Sequence, residues 1–194
     1  MKNLLITGFE PFGGEKINPS WEAVKLLPSE INGYRLTKLC LPVVFEDATK
    51  MAIRMAENIS ADTILCVGQA GGRAAITPEL VAINLRYASI PDNNGNQPID
   101  EAIIPSGSTA YFSTLPMRKM AVAIAEGNLP VQISYSAGAY VCNDLLYGLL
   151  DHFNNTTTKV GFIHVPYSSE QGKEPSMELC DIAKGLRVAI ENIN

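Results

Sequence analysis

The sequence predicts an α/β fold, a single-domain α/β/α sandwich with a twisted, mostly parallel central sheet and one antiparallel hairpin excursion. Three observations predict it. Short apolar runs alternate with amphipathic segments of helical period, the pattern of strands linked by crossover helices. The runs, such as Leu4 to Ile6 and Ile64 to Val67, have no alternating polar face, as expected of strands covered on both sides. Between them, Val81, Ile83, Leu85 and Tyr87 alternate with Ala82, Asn84 and Arg86. That is the period of a half-buried strand, and the Asn94-Gly95 pair beyond it suits a tight hairpin.

Taken in order, Lys2 to Thr7 reads as a buried strand. Asn18-Pro19-Ser20 opens a helix to Leu27, with Asn18 as cap and Pro19 in the first turn. Arg35 to Leu41 is a strand, and Phe45 to Asn58 a helix with Ala48, Met51, Ala52 and Met55 on one face. Thr63 to Val67 is a strand ending at Gly68. The alternating segment from Val81 follows, then a helix from Pro116 to Glu126 closed by Gly127. Val131 to Tyr135 reads as a strand, Tyr140 to Asp151 as a helix, Val160 to Val165 as a strand and Ser176 to Asn192 as the last helix. No linker, repeat or low-complexity tract divides residues 1–194, so one domain is expected.

Composition narrows the function classes. The net charge is -5, which supplies no basic field for nucleic acid or an anionic membrane surface, and neither partner is expected. Apolar runs are strand-sized, so no membrane span is expected, and the start MKNLLITGFEPFGG reads as a first strand rather than a leader. A cytoplasmic location follows as an expectation. Cys40, Cys66, Cys142 and Cys180 show no close paired spacing and are expected as free thiols. With two histidines and no HExxH, no metal site is expected. The glycine-rich stretches GFEPFGG and GQAGG match neither GxGxxG nor a P-loop, which argues against nucleotide binding.

In open α/β sheets, sites gather beyond the carboxyl ends of strands. Cys40 and Cys66 lie within strands and Cys180 within the last helix, and all three read as inert packing. Cys142 differs, because a strand and a small-residue turn place it in the first turn of a helix. Unpaired N–H groups and the positive dipole end there favour a thiolate and an oxyanion. A structural cysteine remains the competing reading. Its base would be a histidine. His152 follows the C-terminal end of the same helix, about 15 Å away at 1.5 Å per residue. His164, closing the following strand, is the better base. The orienting carboxylate is open among Glu10, Glu46, Asp47, Glu79, Asp92 and Asp144, with Glu79 notable for its place near the sheet end. Phe9 and Phe12 either plug the core or form a small pocket for a flat ring.

The stretches ITGFEPFGG with NPSWEAVK, CVGQAGGRAAITPELVAINL, IPDNNGNQP, SAGAYVCNDLLYGLL and GFIHVPY together resemble the pyroglutamyl peptidase type I family, along nearly the whole chain and in order. The resemblance implies a cysteine omega-peptidase that removes N-terminal L-pyroglutamate from peptides through a thioacyl-enzyme, with no cofactor. It places the catalytic roles on Glu79, Cys142 and His164. It places the ring pocket on Phe9, Phe12, Gln69, Ile90 and Val141, with Asn18 as a weaker addition. It also implies a homodimer or homotetramer. One departure stands out: Ser89 precedes IPDN, where the family pattern commonly has arginine. A cysteine amidase for small amides and a non-catalytic binder of pyroglutamyl peptides are the alternatives.

Overall fold

The computed structural model describes all 194 residues. Its elements in chain order are β1 (Lys2–Phe9), α1 (Pro19–Leu26), β2 (Glu30–Ile31), β3 (Tyr34–Leu41), α2 (Asp47–Asn58), β4 (Thr63–Gln69), β5 (Thr77–Glu79), β6 (Val81–Ile83), β7 (Ala110–Phe112), α3 (Met117–Glu126), α4 (Val141–His152), β8 (Lys159–Val165), β9 (Tyr167–Ser168), β10 (Ser176–Met177) and α5 (Leu179–Glu191). The main sheet has the order β2-β3-β1-β4-β8-β5. Strands β3, β1, β4 and β8 are mutually parallel, and the short edge strands β2 and β5 run antiparallel to their neighbours. No helix is long and apolar enough to cross a membrane.

Because successive side chains of a strand point to opposite faces, the four parallel strands serve two cores at once. Leu4, Ile6, Leu65, Val67, Ile163 and Val165 pack with α1, α3 and α5. Leu5, Ile64, Cys66, Val160 and Phe162 pack with α2 and α4 on the other side. This is the sandwich expected from the unbroken apolar runs. The α1 helix lies so close to β1 that a Cβ on Gly8 would come within 2.6 Å of Trp21 Cα, which only glycine avoids.

Three elements differ from the sequence reading. Residues 131–135 form no strand; they run beside β5 with isolated parallel bridges at Ile76–Val131 and Glu79–Ser134. The N–H groups of Ile76, Gln132, Ser134 and Leu80 each find a partner across this gap. Pro78 between them has no N–H to give, so the ladder is interrupted at its centre. The alternating segment stops as a strand at Ile83, where the fully buried Asn143 takes over the backbone. Its Oδ1 accepts from Ile83 N at 3.0 Å, and its Nδ2 donates to Ile83 O and Leu85 O at 2.8 and 3.0 Å. The excursion is nonetheless antiparallel, since β6 pairs with β7 and Arg86 bridges Glu101, with the Asn-Gly turn at its tip. The last helix starts at Leu179 rather than Ser176, because Ser176 and Met177 pair with Tyr167 and Ser168. Its buried stripe is Ile182, Ala183, Gly185, Leu186, Ala189 and Ile190, which leaves Cys180 exposed rather than packed.

Candidate active site

The carboxyl ends of β1, β4 and β8 open on one edge of the sheet, and α4 begins there. On β8, His164 has the same parity as Val160 and Phe162, so its ring projects to the α2/α4 side. Gly68 of β4 pairs in register with His164. A Cβ on Gly68 would lie 2.9 Å from Cys142 Sγ and 2.7 Å from the Phe162 ring, so the missing side chain makes room for the thiol beside the His164 strand. Edge strand β5 runs antiparallel to β8, with Thr77 opposite His164. Glu79 is fully buried, and its Oε1 accepts from His164 Nδ1 at 2.7 Å. That bond leaves Nε2 of His164 as the free ring nitrogen, the atom able to exchange a proton with the thiol.

Arg73, in the loop between β4 and β5, donates from Nη1 to the same Glu79 oxygen at 2.6 Å. Glu79 Oε2 has no hydrogen-bond partner. Burial raises the Glu79 carboxyl, but the hydrogen bond and charge of His164, with Arg73, outweigh it and hold the group below its ordinary value. Burial pushes His164 below its ordinary value, while the Glu79 hydrogen bond and charge pull upward. The Cys142 thiol is pushed up to about 12 by burial, with Glu79 adding to the shift and Arg73 opposing it. Arg73 is thus the cation that favours the thiolate here, whereas Ser89 is exposed and its carbonyl accepts from Gln97.

Cys142 is the second residue of α4, whose N-cap Tyr140 offers no side-chain cap. The first N–H to close the helix is that of Asp144, which donates to Tyr140 O at 3.1 Å. The N–H groups of Val141, Cys142 and Asn143 have no partner within the protein and are available to an oxyanion.

Beside the thiol lies a narrow cavity of about 40 Å³, lined by Phe9, Phe12, Asn18, Val43, Gln69, Tyr140, Val141 and Cys142 itself. Phe9 ends β1 and is buried, while Phe12 is half-buried and tilts toward the Tyr140 ring at 6.5 Å between centroids. Asn18 serves two ends. Its Oδ1 caps α1 by accepting from Ser20 N, and its Nδ2 donates to Glu10 O, tying the cavity loop to the helix. Ser20 Oγ in turn accepts from Phe9 N at 3.0 Å.

The structure brings Glu79, His164 and Cys142 to one end of the sheet and gathers Phe9, Phe12, Asn18, Gln69 and Val141 round the cavity. Ile90 is the exception. It is 46% exposed in the loop before the Asn-Gly turn and does not line the cavity. Pro91 follows it, and Tyr140 Oη donates to Pro91 O, so the loop touches the site through its backbone at the cavity lip. His152 ends α4 at the surface, paired with Glu57 at 3.0 Å. Sequence reasoning missed Val43, Tyr140 and Arg73. Tyr140 carried a readable signal, a bulky aromatic at a cap position where short polar residues are favoured. Arg73 carried none, because its pairing depends on how the loop folds back. Larger hollows elsewhere, among them one bordered by Glu46, Arg86 and Glu101 and one by Glu46, Ile103 and Asp151, contain no member of the Glu79–His164–Cys142 group.

A family model described as pyroglutamyl peptidase matches residues 2–194. Pyrrolidone-carboxylate peptidase 1 of Streptococcus pneumoniae serotype 4 is 50% identical over 98% of this chain and 92% of that protein. The pyrrolidone-carboxylate peptidase of Lactobacillus helveticus is 48% identical over 97% and 96%. The crystal structure of pyroglutamyl peptidase I from Bacillus amyloliquefaciens superposes with a TM-score of 0.95 at 44% identity, covering 100% of this chain and 97% of that one. With the family model spanning almost every residue and the fold shared throughout, the chain belongs to the pyroglutamyl peptidase family.

Proposed function

We propose that this protein is a cysteine peptidase that hydrolyses the bond after an N-terminal L-pyroglutamyl residue, with residues 1–194 acting as one catalytic domain. The observation that carries the catalytic reading is the Glu79–His164 hydrogen bond at 2.7 Å beside a thiol seated among unpartnered helix N–H groups.

In this reading, Cys142 Sγ attacks the pyroglutamyl carbonyl carbon as its proton passes to His164 Nε2. The oxyanion is held by the N–H groups at the start of α4. Collapse of the tetrahedral intermediate breaks the C–N bond, and His164 gives its proton to the departing amine. Water, deprotonated by His164, then attacks the thioester, releasing pyroglutamate and restoring the thiol. Glu79 keeps Nδ1 as the donor and stabilises the imidazolium formed in each step, as in other catalytic triads. These steps use only side chains, backbone N–H groups and water.

The pyroglutamyl ring carries no charge, so a pocket with aromatic walls and a few polar groups suits it. The cavity is small and only partly enclosed, and the Phe12 and Tyr140 side chains that line it are partly exposed, so they can adjust to a flat ring. The predicted kinetic result is a clear preference for a pyroglutamyl arylamide over prolyl and simple acyl arylamides. Equal rates on all three would refute the substrate assignment.

A cytoplasmic setting is supported by four free cysteines and the acidic charge. Assembly into a homodimer or homotetramer is supported by exposed Phe112 and Tyr135, and light scattering of the purified protein tests it.

A further inference from the structure

Gln69 reaches the cavity from the end of β4, and an amide side chain is ambiguous there. Either its carbonyl or its NH2 could face a ligand, with opposite consequences for what binds. The surrounding hydrogen bonds resolve the choice. The backbone N–H of Ser168 can only donate, and it donates to Gln171 Oε1 at 3.0 Å. The other end of the Gln171 amide is therefore NH2. Consistent with this, Nε2 of Gln171 donates to the Glu15 carboxylate at 3.2 Å, a group that accepts only. Its second proton goes to Gln69 Oε1 at 3.0 Å. With its oxygen engaged, Gln69 presents Nε2, which makes no hydrogen bond within the protein. Lys173 holds Glu15 on the far side, so the chain runs Lys173, Glu15, Gln171, Gln69, cavity.

We propose that Gln171 is a specificity-determining positioning residue, which fixes Gln69 with its NH2 group turned to the substrate so that it donates to the ring carbonyl oxygen of the lactam. This rests on the pyroglutamyl reading of the cavity. The prolyl ring lacks that carbonyl, so the donor discriminates between two rings of nearly equal size. A donor shut off from water by the bound ring and left without its acceptor penalises the wrong ring, and an acceptor turned toward the lactam carbonyl penalises the right one.

The test is Gln171→Glu. A glutamate still accepts from Ser168 N, but it can donate neither to Gln69 nor to Glu15, and Lys173 stays beside the two carboxylates to offset their repulsion. Gln69 then gains by rotating its NH2 toward the new carboxylate and its oxygen toward the cavity. The expected result is a fall of roughly 10- to 100-fold in kcat/KM for a pyroglutamyl arylamide, mainly through KM. The slow rate on a cyclopentanecarbonyl arylamide, which has no lactam, should not change, and neither should alkylation of Cys142 by iodoacetamide. Gln171→Met, which removes the donor without adding charge, leaves Gln69 free to turn either way and should show a smaller loss of ring preference. In a Gln69→Leu background, Gln171→Glu should cost nothing further. If wild type prefers the pyroglutamyl substrate and both Gln171 variants keep that preference, the inference is overturned. If wild type itself shows no preference, the pyroglutamyl reading fails first and this inference fails with it.

Discussion

Cys66, fully buried, and Cys142, partly buried, lie on the same side of the sheet, and loss of water contact pushes both thiols up to about 12. One is packing and the other is the proposed nucleophile. Cys66 sits in the middle of β4, with Thr7 and Phe162 as its register neighbours and no base beside it. Two residues further along the same strand, Gly68 replaces a side chain with space, and that space holds Cys142 Sγ. Here the sheet ends, α4 begins with free N–H groups, and His164 presents a ring backed by Glu79. The comparison teaches that burial alone does not decide reactivity. What separates the two thiols is a proton acceptor, an oxyanion site and an open path to a ligand.

Removing the acceptor's support should have the largest effect. Glu79→Gln keeps a hydrogen-bonding oxygen but not the charge, and kcat should fall by about 10²- to 10⁴-fold, by analogy with the triad aspartate. A loss below tenfold would mean that the Glu79–His164 bond is structural.

The pH profile sharpens the contrast at smaller amplitude. His164 must be neutral to take the thiol proton, and burial lowers its pKa. The acid limb of kcat/KM should therefore lie below the ordinary histidine value of about 6.5. Glu79 raises His164 and Arg73 lowers it. Glu79→Gln should thus move the limb to lower pH, and Arg73→Gln should move it to higher pH. Shifts of the same sign in both variants would contradict this electrostatic account.

Cys66→Ala marks the quiet side of the comparison. It should lower stability by about 1 kcal/mol in a denaturant titration and leave kcat/KM within twofold. A variant with normal stability and lost activity would make Cys66, not Cys142, the thiol to pursue.

Much of the sheet was legible because strands covered on both sides must be continuously apolar, and helices must show one apolar stripe. The failures came where long-range partners decide the outcome. Residues 131–135 look like a strand and run like one, but Pro78 lies across from them, fifty residues earlier in the chain. The alternating segment ends at Ile83 because the Asn143 side chain arrives from α4. At the site, the thiol and histidine could be reasoned from helix and strand ends. Glu79 could not be separated from five other acids by spacing, and needed the family resemblance. Arg73, Val43 and the Gln171 relay were invisible, since each depends on loops meeting in space.

The most direct test of the central claim is the rate on a pyroglutamyl arylamide for wild type and Cys142→Ser, with intact mass spectrometry of the wild type quenched in turnover. Hydrolysis by wild type, its near-complete loss in the variant and a pyroglutamyl adduct mapped to Cys142 are the predicted results. Undiminished activity in Cys142→Ser, or an adduct on Cys66 or Cys180, would contradict the account.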